Sequence, residues 1–388
     1  MEVWHPTERS FPPGYPFDAM AAVENAEAVG LTPFHEFDEA NATWPRGDRL
    51  EAIRGAADEF RRRFKSQGQV RAVRTVDLVS AGYPTRYAFG GAARGGPNPY
   101  VSILNRMAVV QFEDFEGQTR TLVWEPTVPE GSSEAPFYAQ LIERYGEWLS
   151  HNVLARRYNT VEGALAQCGL TATDVDFVAF DHLHVQDMRI LMGTTRPVEG
   201  EYEPRRPVFP NARFLCQRKE VDTFRSPHPM QWAWYVPGGR DHVIEDNLVL
   251  LDGDVELGAG VALAATPGHT DGNQSLVVNT PDGVWVSSEN GVAADNWHPH
   301  LSKIPGLRKE AEFMGREVIL NSNTLEDSID KYDSMVKEKA LADPNRADPR
   351  WMNVLPSSEL PAWKRHWPIV PSFTYGGMNY GTIGPSGA

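Results

Sequence analysis

The chain has 388 residues, 37 basic against 52 acidic side chains, a formal charge of −15, 41% apolar residues and two cysteines. These values exclude a disulfide scaffold, a collagen-like repeat and a disordered tail protein, and they suit one large domain with insertions or two modest ones. An acidic surface without runs of Lys and Arg repels phosphate backbones and anionic membranes, so neither nucleic acid nor a membrane is expected as a partner.

Met1 to Pro16 has an early Glu and several Pro but no apolar run of the kind a secretory signal needs, and no stretch approaches the length of a membrane span. Residues 1–69 read as an N-terminal extension containing one charged amphipathic helix, GDRLEAIRGAADEFRRRFKSQG. From Val70 the segments VRAVRTVDLVSA, PTRYAFG, MAVVQFED and TRTLVWEPT have strand-like lengths and read as consecutive antiparallel strands, with GGAARGGPNPY as a loop. Ala135–Leu154 and Thr160–Cys168 have helical spacing, the second closed by Gly169. DVDFVAF then reads as a strand running directly into DHLHVQD, and NARFLCQ as another. After the aromatic loop SPHPMQWAWYVPGG come further strands with tight turns, and the Asp-Gly pairs at 252–253 and 282–283 predict hairpins. Helices return in GLRKEAEFMGREVI and LEDSIDKYDSMVKEKALA, and residues 361–388 form an aromatic, Gly-rich tail. The order strands, helices, strands, helices predicts a layered α/β domain with helices outside two sheets. Cys168 and Cys216 lack CxxC neighbours and read as two buried thiols, which makes the cytoplasm the expected location.

Three segment ends carry chemistry. Where the strand at 174–180 stops, Asp181-His182-Leu183-His184-Val185-Gln186-Asp187 follows. Side chains at i and i+2 of a strand point the same way, so His182 and His184 can offer two imidazoles to one ion. Ala265-Thr266-Pro267-Gly268-His269 closes a second apolar strand, and its Pro and Gly turn the chain so that one histidine projects from a sheet edge. VWVSSEN ends a third strand in the carboxylate of Glu289. Packing alone does not explain three strand ends that each finish in a potential ligand.

These segments resemble the metallo-β-lactamase superfamily over roughly Val70 to Leu360. The resemblance is sharpest at GLTATDVDFVAFDHLH, FPNARFLCQRKEVD and LLDGDVELGAGVALAATPGHTDGNQSLVVNTPDGVWVSSEN. It implies a four-layer αββα sandwich over residues 70–360, flanked by the extension and the tail, with the active site at one edge of the two sheets. It also implies a first metal site at His182, His184 and His269. The family's second site uses an Asp and a His of HxHxDH, a bridging Asp and a late His. Those positions hold Gln186, Asp187, Glu289 and Ser358 here. A neutral amide and a hydroxyl are poor ligands for a second divalent ion, so one zinc is expected, iron or manganese sharing the same ligand types. Glu289 is then a fourth ligand or a base, Asp181 an acceptor for an imidazole N–H or a direct ligand, and Asp187 a proton carrier or the nucleus of an oxygen-rich second site. His298, His300 and His366 are the other histidines with any route to that edge, each with surface or core placement as the plainer reading.

The expected function is a metal-dependent hydrolase that directs a metal-bound hydroxide at a small organic substrate, namely a lactone, ester, thioester or amide, or an aryl halide removed hydrolytically. The competing expectation is a catalytically degenerate relative that binds a ligand or partner, and an iron site doing oxygen chemistry is a third. The aromatic segments PMQWAWY and FTYGGMNY are candidate pocket walls, and the extension and tail are where a homodimer contact would fall.

Overall fold

The computed structural model describes residues 22–23, 26–94, 99–150, 155–321, 328–363 and 366–385. Expectations for Met1 to Pro16 and for the helix end at 151–154 lie outside these residues.

Alternating and apolar runs pair into two sheets. The larger has the order Asn379–Tyr380, Ala72–Pro84, Tyr100–Glu113, Thr119–Trp124, Phe177–Ala179, Arg213–Gln217, Leu248–Leu251. Its first half is antiparallel and its second half parallel, the parallel strands being joined through helical crossovers. The smaller runs Thr32–Pro33, Val255–Gly258, Val261–Ala265, Gln274–Thr280, Gly283–Ser288, Val354–Pro356 and is antiparallel except at the last pair.

Three apolar clusters show the layering. Val110, Leu122, Trp124 and Leu215 of the large sheet meet Val261, Leu263, Leu276 and Val278 of the small one in a core between the sheets. Leu78, Met107, Val109 and Val123, on the outer face of the large sheet, pack on Val161, Ala164 and Leu165 of the helix Val161–Gln167. On the outer face of the small sheet, Ala262, Ala264, Val277 and Val286 pack on Phe37, Phe60, Phe64 and Met335. Helix, sheet, sheet, helix is the αββα arrangement expected, and it follows from each sheet having to bury both faces.

Several local expectations are corrected. PTRYAFG contains the short helix Thr85–Ala88 after Pro84 rather than a strand, and the second long strand begins earlier, at Tyr100. Asp252-Gly253 is a crossing between sheets, since Leu248–Leu251 and Val255–Gly258 belong to different ones, whereas Asp282-Gly283 does close a hairpin. The helix Arg46–Gln67 buries Ile53, Ala57, Phe60 and Phe64, so the segment read as an extension supplies an outer layer of the sandwich. The tail likewise contributes Met378 to the core between the sheets. Cys168 and Cys216 are buried and free, as expected. Among the described residues no helix is long and apolar enough to cross a membrane.

Phe60 is fully buried, with ring centroids 4.6 Å from Phe34 and 4.9 Å from Phe64. Phe60→Ala is therefore expected to lower stability by about 3–5 kcal/mol in urea unfolding, a size that an unattached extension would not produce.

Candidate metal centre

The strand Phe177–Ala179 lies between two parallel neighbours, and the chain leaves it at the sheet's edge as a loop. His182 and His184 therefore converge through a turn and not through strand alternation. Leu183 between them is fully buried in the outer core of the large sheet, which turns both imidazoles the other way. Glu220 holds the loop from behind, its Oε1 accepting from the Leu183 N–H at 2.8 Å and from the Tyr235 hydroxyl at 2.9 Å. Val185 then takes a left-handed conformation with φ 56°, and its N–H donates to the Trp234 carbonyl.

His269 comes from the other sheet. After Val261–Ala265 the chain turns through Gly268, whose φ is 137° and where a Cβ would stand 2.3 Å from Lys331 Cα. Glycine alone permits both the conformation and the approach of the helix Ile329–Leu341. Asn321 Oδ1 lies 3.2 Å from His269 Nδ1 and also accepts from the buried Lys331 ammonium. Lys331 Nζ also lies 3.3 Å from His269 Nδ1, so that nitrogen is tied to the Asn321–Lys331 pair.

The three histidines meet. Ring centroids are 4.5 Å apart for His182 and His269, 4.6 Å for His182 and His184, and 5.2 Å for His184 and His269. One ligand atom from each falls within 4.8 Å of the others, and all three residues are buried. Asp181, His182 and Glu289 form a second group that meets the same distance. Asp181 is already engaged, by His182 Nδ1, by the Ser357 hydroxyl and through its own N–H, which donates to Glu125 Oε1 at 2.6 Å.

Electrostatics follow from burial and neighbours. Burial opposes charge on His182, but the Asp181 carboxylate more than offsets it and lifts the ring to about 9. His184 and His269 fall well below the usual imidazole range, first through burial and then through nearby positive groups. Burial raises Glu289 to about 7 against the pull of His182, and a Ser358 hydrogen bond also favours its charged form. Three buried imidazoles with an adjacent carboxyl have the ligand types and spacing of a divalent-cation site, and the residues present fit such an ion.

The other sequence candidates part company with this cluster. Asp187 caps the helix Met188–Met192 and is gripped by Arg189 at 2.8 and 2.9 Å and by Arg205 at 3.3 Å, and it belongs to neither ligand group among the described residues. His298 Nε2 accepts from the Met352 N–H at 2.9 Å, His300 bonds the Arg316 carbonyl, and His366 accepts from the Ser102 N–H at 3.1 Å. None of these three belongs to either ligand group among the described residues. The serines near the expected late histidine act as hydrogen-bond donors to the carboxyls, Ser357 to Asp181 and Ser358 to Glu289.

A cavity of about 140 Å³ opens onto the cluster. Its walls include Val79, Ile103, Leu141, Ile142, Tyr83 and Trp234, with the three histidines and Glu289 on one side. Of the two aromatic segments, the first supplies Trp234 to the wall, while Phe373 of the second stacks on Trp351. Sequence reading missed Glu125, Glu220 and Lys331. Glu125 carried a usable signal, since it ends the apolar strand Thr119–Trp124 just as Glu289 ends Gly283–Ser288.

Ligand loops meet at the common edge of two stacked sheets, one bearing HxH and the other PGH, in the αββα layer order that the metallo-β-lactamase resemblance implies. No protein-family model matches the sequence. Among solved structures the chain is similar to a dizinc quorum-quenching lactonase in complex with a product, at 12% identity and TM-score 0.46, over 81% of this chain and 95% of that one. It is also similar to a probable metal-dependent hydrolase from Staphylococcus aureus, at 14% and 0.44 over 63% and 84%. A third is the hydrolase AbOPH of the β-lactamase superfamily, at 12% and 0.43 over 75% and 90%.

His298 offers a pH test of its structural role. Burial lowers its ring to about 3, below the ordinary value of 6.5. Between these values the unfolded chain binds the proton and the folded one does not, so stability present above pH 6.5 is lost as pH falls, by up to about 1.4 kcal/mol per pH unit from this group. His298→Gln keeps a hydrogen-bond acceptor for Met352 and is expected to remove that slope from urea midpoints measured across pH 4–7, while leaving metal content unchanged.

Proposed function

We propose that the chain is a metal-dependent hydrolase of the metallo-β-lactamase superfamily acting on a small organic substrate. One divalent ion, zinc by its ligand preference, is held by His182, His184 and His269, with Glu289 as fourth ligand or proton carrier. The observation that carries this reading is the convergence of three buried imidazoles and one carboxyl on the wall of an apolar cavity. Such an ion supplies a Lewis acid for the electrophile's oxygen and lowers the pKa of water.

The chain's own residues do the rest. Asp181 accepts from His182 Nδ1, which orients that ring and raises its basicity, and the Ser357 hydroxyl keeps Asp181 in place. Asn321 and Lys331 hold His269 through its Nδ1. Glu289, beside the imidazoles and lining the cavity, can take a proton from the nucleophile and return it to the leaving group. Val79, Leu141, Ile142 and Trp234 exclude bulk water, which strengthens every polar contact at the reacting centre. The usual second-site ligands are replaced, and Asp187 is held by two arginines, so the reading commits to a single ion. The hydrolytic unit is residues 70–360 with the flanking segments completing its layers, and two free buried thiols suit the cytoplasm.

Elemental analysis of the purified protein is expected to give about one equivalent of zinc, iron or manganese per chain. His182→Ala and His269→Ala are expected to lose the ion and lower kcat/KM on neutral esters or lactones by about a thousandfold or more, with chelation and metal re-addition reproducing the loss and its recovery. A folded, metal-free protein that binds small molecules without turnover would replace this reading by that of a non-catalytic relative.

A further inference from the structure

Glu338 is fully buried on the helix Ile329–Leu341, and its carboxyl gathers donors from the small sheet and the segment that follows Glu289. Oε1 accepts from the Ser275 hydroxyl at 3.1 Å, the Ser288 hydroxyl at 2.8 Å and the Asn290 amide at 2.5 Å, and Oε2 accepts from the Trp297 indole N–H at 2.9 Å. Each of the first three bears on a ligand loop. Ser288 and Asn290 stand on either side of Glu289 in the chain, and the Asn290 N–H also donates to Ser288 Oγ at 3.1 Å. Ser275 Oγ lies 2.7 Å from Thr266 Oγ1, and the Asn290 amide donates again to the Thr266 carbonyl at 3.3 Å, where the chain enters Pro267-Gly268-His269. One carboxyl thus joins the end of Gly283–Ser288, which carries Glu289, to the end of Val261–Ala265, which leads to His269.

Docking the helix does not require this group. Met335, Val336 and Leu341 on the same helix already share an apolar cluster with Ala262, Val277 and Val286 of the small sheet. A buried carboxyl carries a desolvation cost that an apolar residue in its place would not, so what it secures is read from the groups it joins. A polar network whose acceptors are filled in this way rigidifies its members. We propose that Glu338 is a positioning residue of the metal centre: it holds the Glu289 segment and the His269 turn at a fixed separation, so that its loss acts on turnover and ion affinity and leaves substrate binding alone. The proposal rests on the reading of the site as that of a metal-dependent hydrolase. Glu338 does not line the cavity and belongs to neither ligand group among the described residues, so it acts only through the segments it ties together.

Glu338→Gln keeps the size of the side chain but turns one acceptor into a donor facing donors, whereas Met335→Ala removes apolar packing from the same helix without touching the network. In the ion-free protein, backbone hydrogen exchange read by mass spectrometry is expected to speed up about tenfold or more over residues 266–270 and 288–291 in Glu338→Gln, and to stay within about threefold of the unaltered protein there in Met335→Ala. In the zinc-loaded protein, Glu338→Gln is expected to lower kcat on phenyl acetate by about 10- to 100-fold with KM within about twofold, and to weaken zinc about tenfold in competition with a chelating dye. Met335→Ala keeps both. Ser288→Ala removes a single donor and is expected to show the same pattern at about threefold, which decides the matter if Glu338→Gln does not fold. Equal exchange over the two segments in Glu338→Gln and Met335→Ala, or a raised KM at unchanged kcat, overturns the proposal. Loosened segments in Glu338→Gln without any turnover by the unaltered protein would sink the hydrolase reading and leave the tie between the segments standing. Turnover and zinc uptake by the unaltered protein with equal exchange in the two variants would do the reverse.

Discussion

The structure depends on holding His182, which leaves the large sheet, against His269, which leaves the small one, with their rings 4.5 Å apart. Neither sheet can make the site by itself. The distance is maintained by the apolar core between them, where Leu122, Trp124 and Leu215 face Leu263, Leu276 and Val278. Packing at this density transmits small displacements, so the geometry of the polar cluster is set by residues that never touch it.

Around the imidazoles the polar groups are arranged in chains that end on fixed structure. Ser357 to Asp181 to His182 is one, Lys331 to Asn321 to His269 another, and Tyr235 to Glu220 to the Leu183 N–H a third. Each chain restrains a ring or loop through an interaction that strengthens in a low-dielectric interior. The residues at the positions where the resemblance implies a second metal site are consistent with this plan. Ser357 and Ser358 supply hydroxyl donors to Asp181 and Glu289, so the carboxylates at that edge are satisfied from within the chain.

Much of this was legible beforehand where the signal was local. HxH after an apolar strand, the PGH turn and a terminal Glu locate His182, His184, His269 and Glu289 by pattern, and Asp181 follows from adjacency to His182. The burial of Phe60 and Phe64 against the small sheet was not legible, because a charged amphipathic helix looks the same whether it covers a sheet or stands in water until its partner is known. The surroundings of Asp187 were not legible for a related reason: its carboxylate bonds to Arg205, 18 residues downstream, and to Arg189, and sequence spacing does not show a guanidinium folding back. Lys331 lies on a helix of mixed composition, and its burial against His269 depends on Gly268 making room.

The chain changes sheet at two very short links. One is Asp252–Asp254, where the Gln217 side chain brackets Gly253 by bonds of 2.9 and 3.1 Å. The other is Ser357, between Val354–Pro356 in the small sheet and Ser358–Glu359 in the large one. At the second link the crossing residue is itself the donor to Asp181. Loop grafting at that position would loosen the covalent staple between the layers and the polar cluster together, whereas the polar stretch around 199–206 joins helix to strand on one side of the sandwich and leaves the staple intact. Remodelling of this scaffold therefore has an asymmetric map, permissive on one rim and closed at the seam.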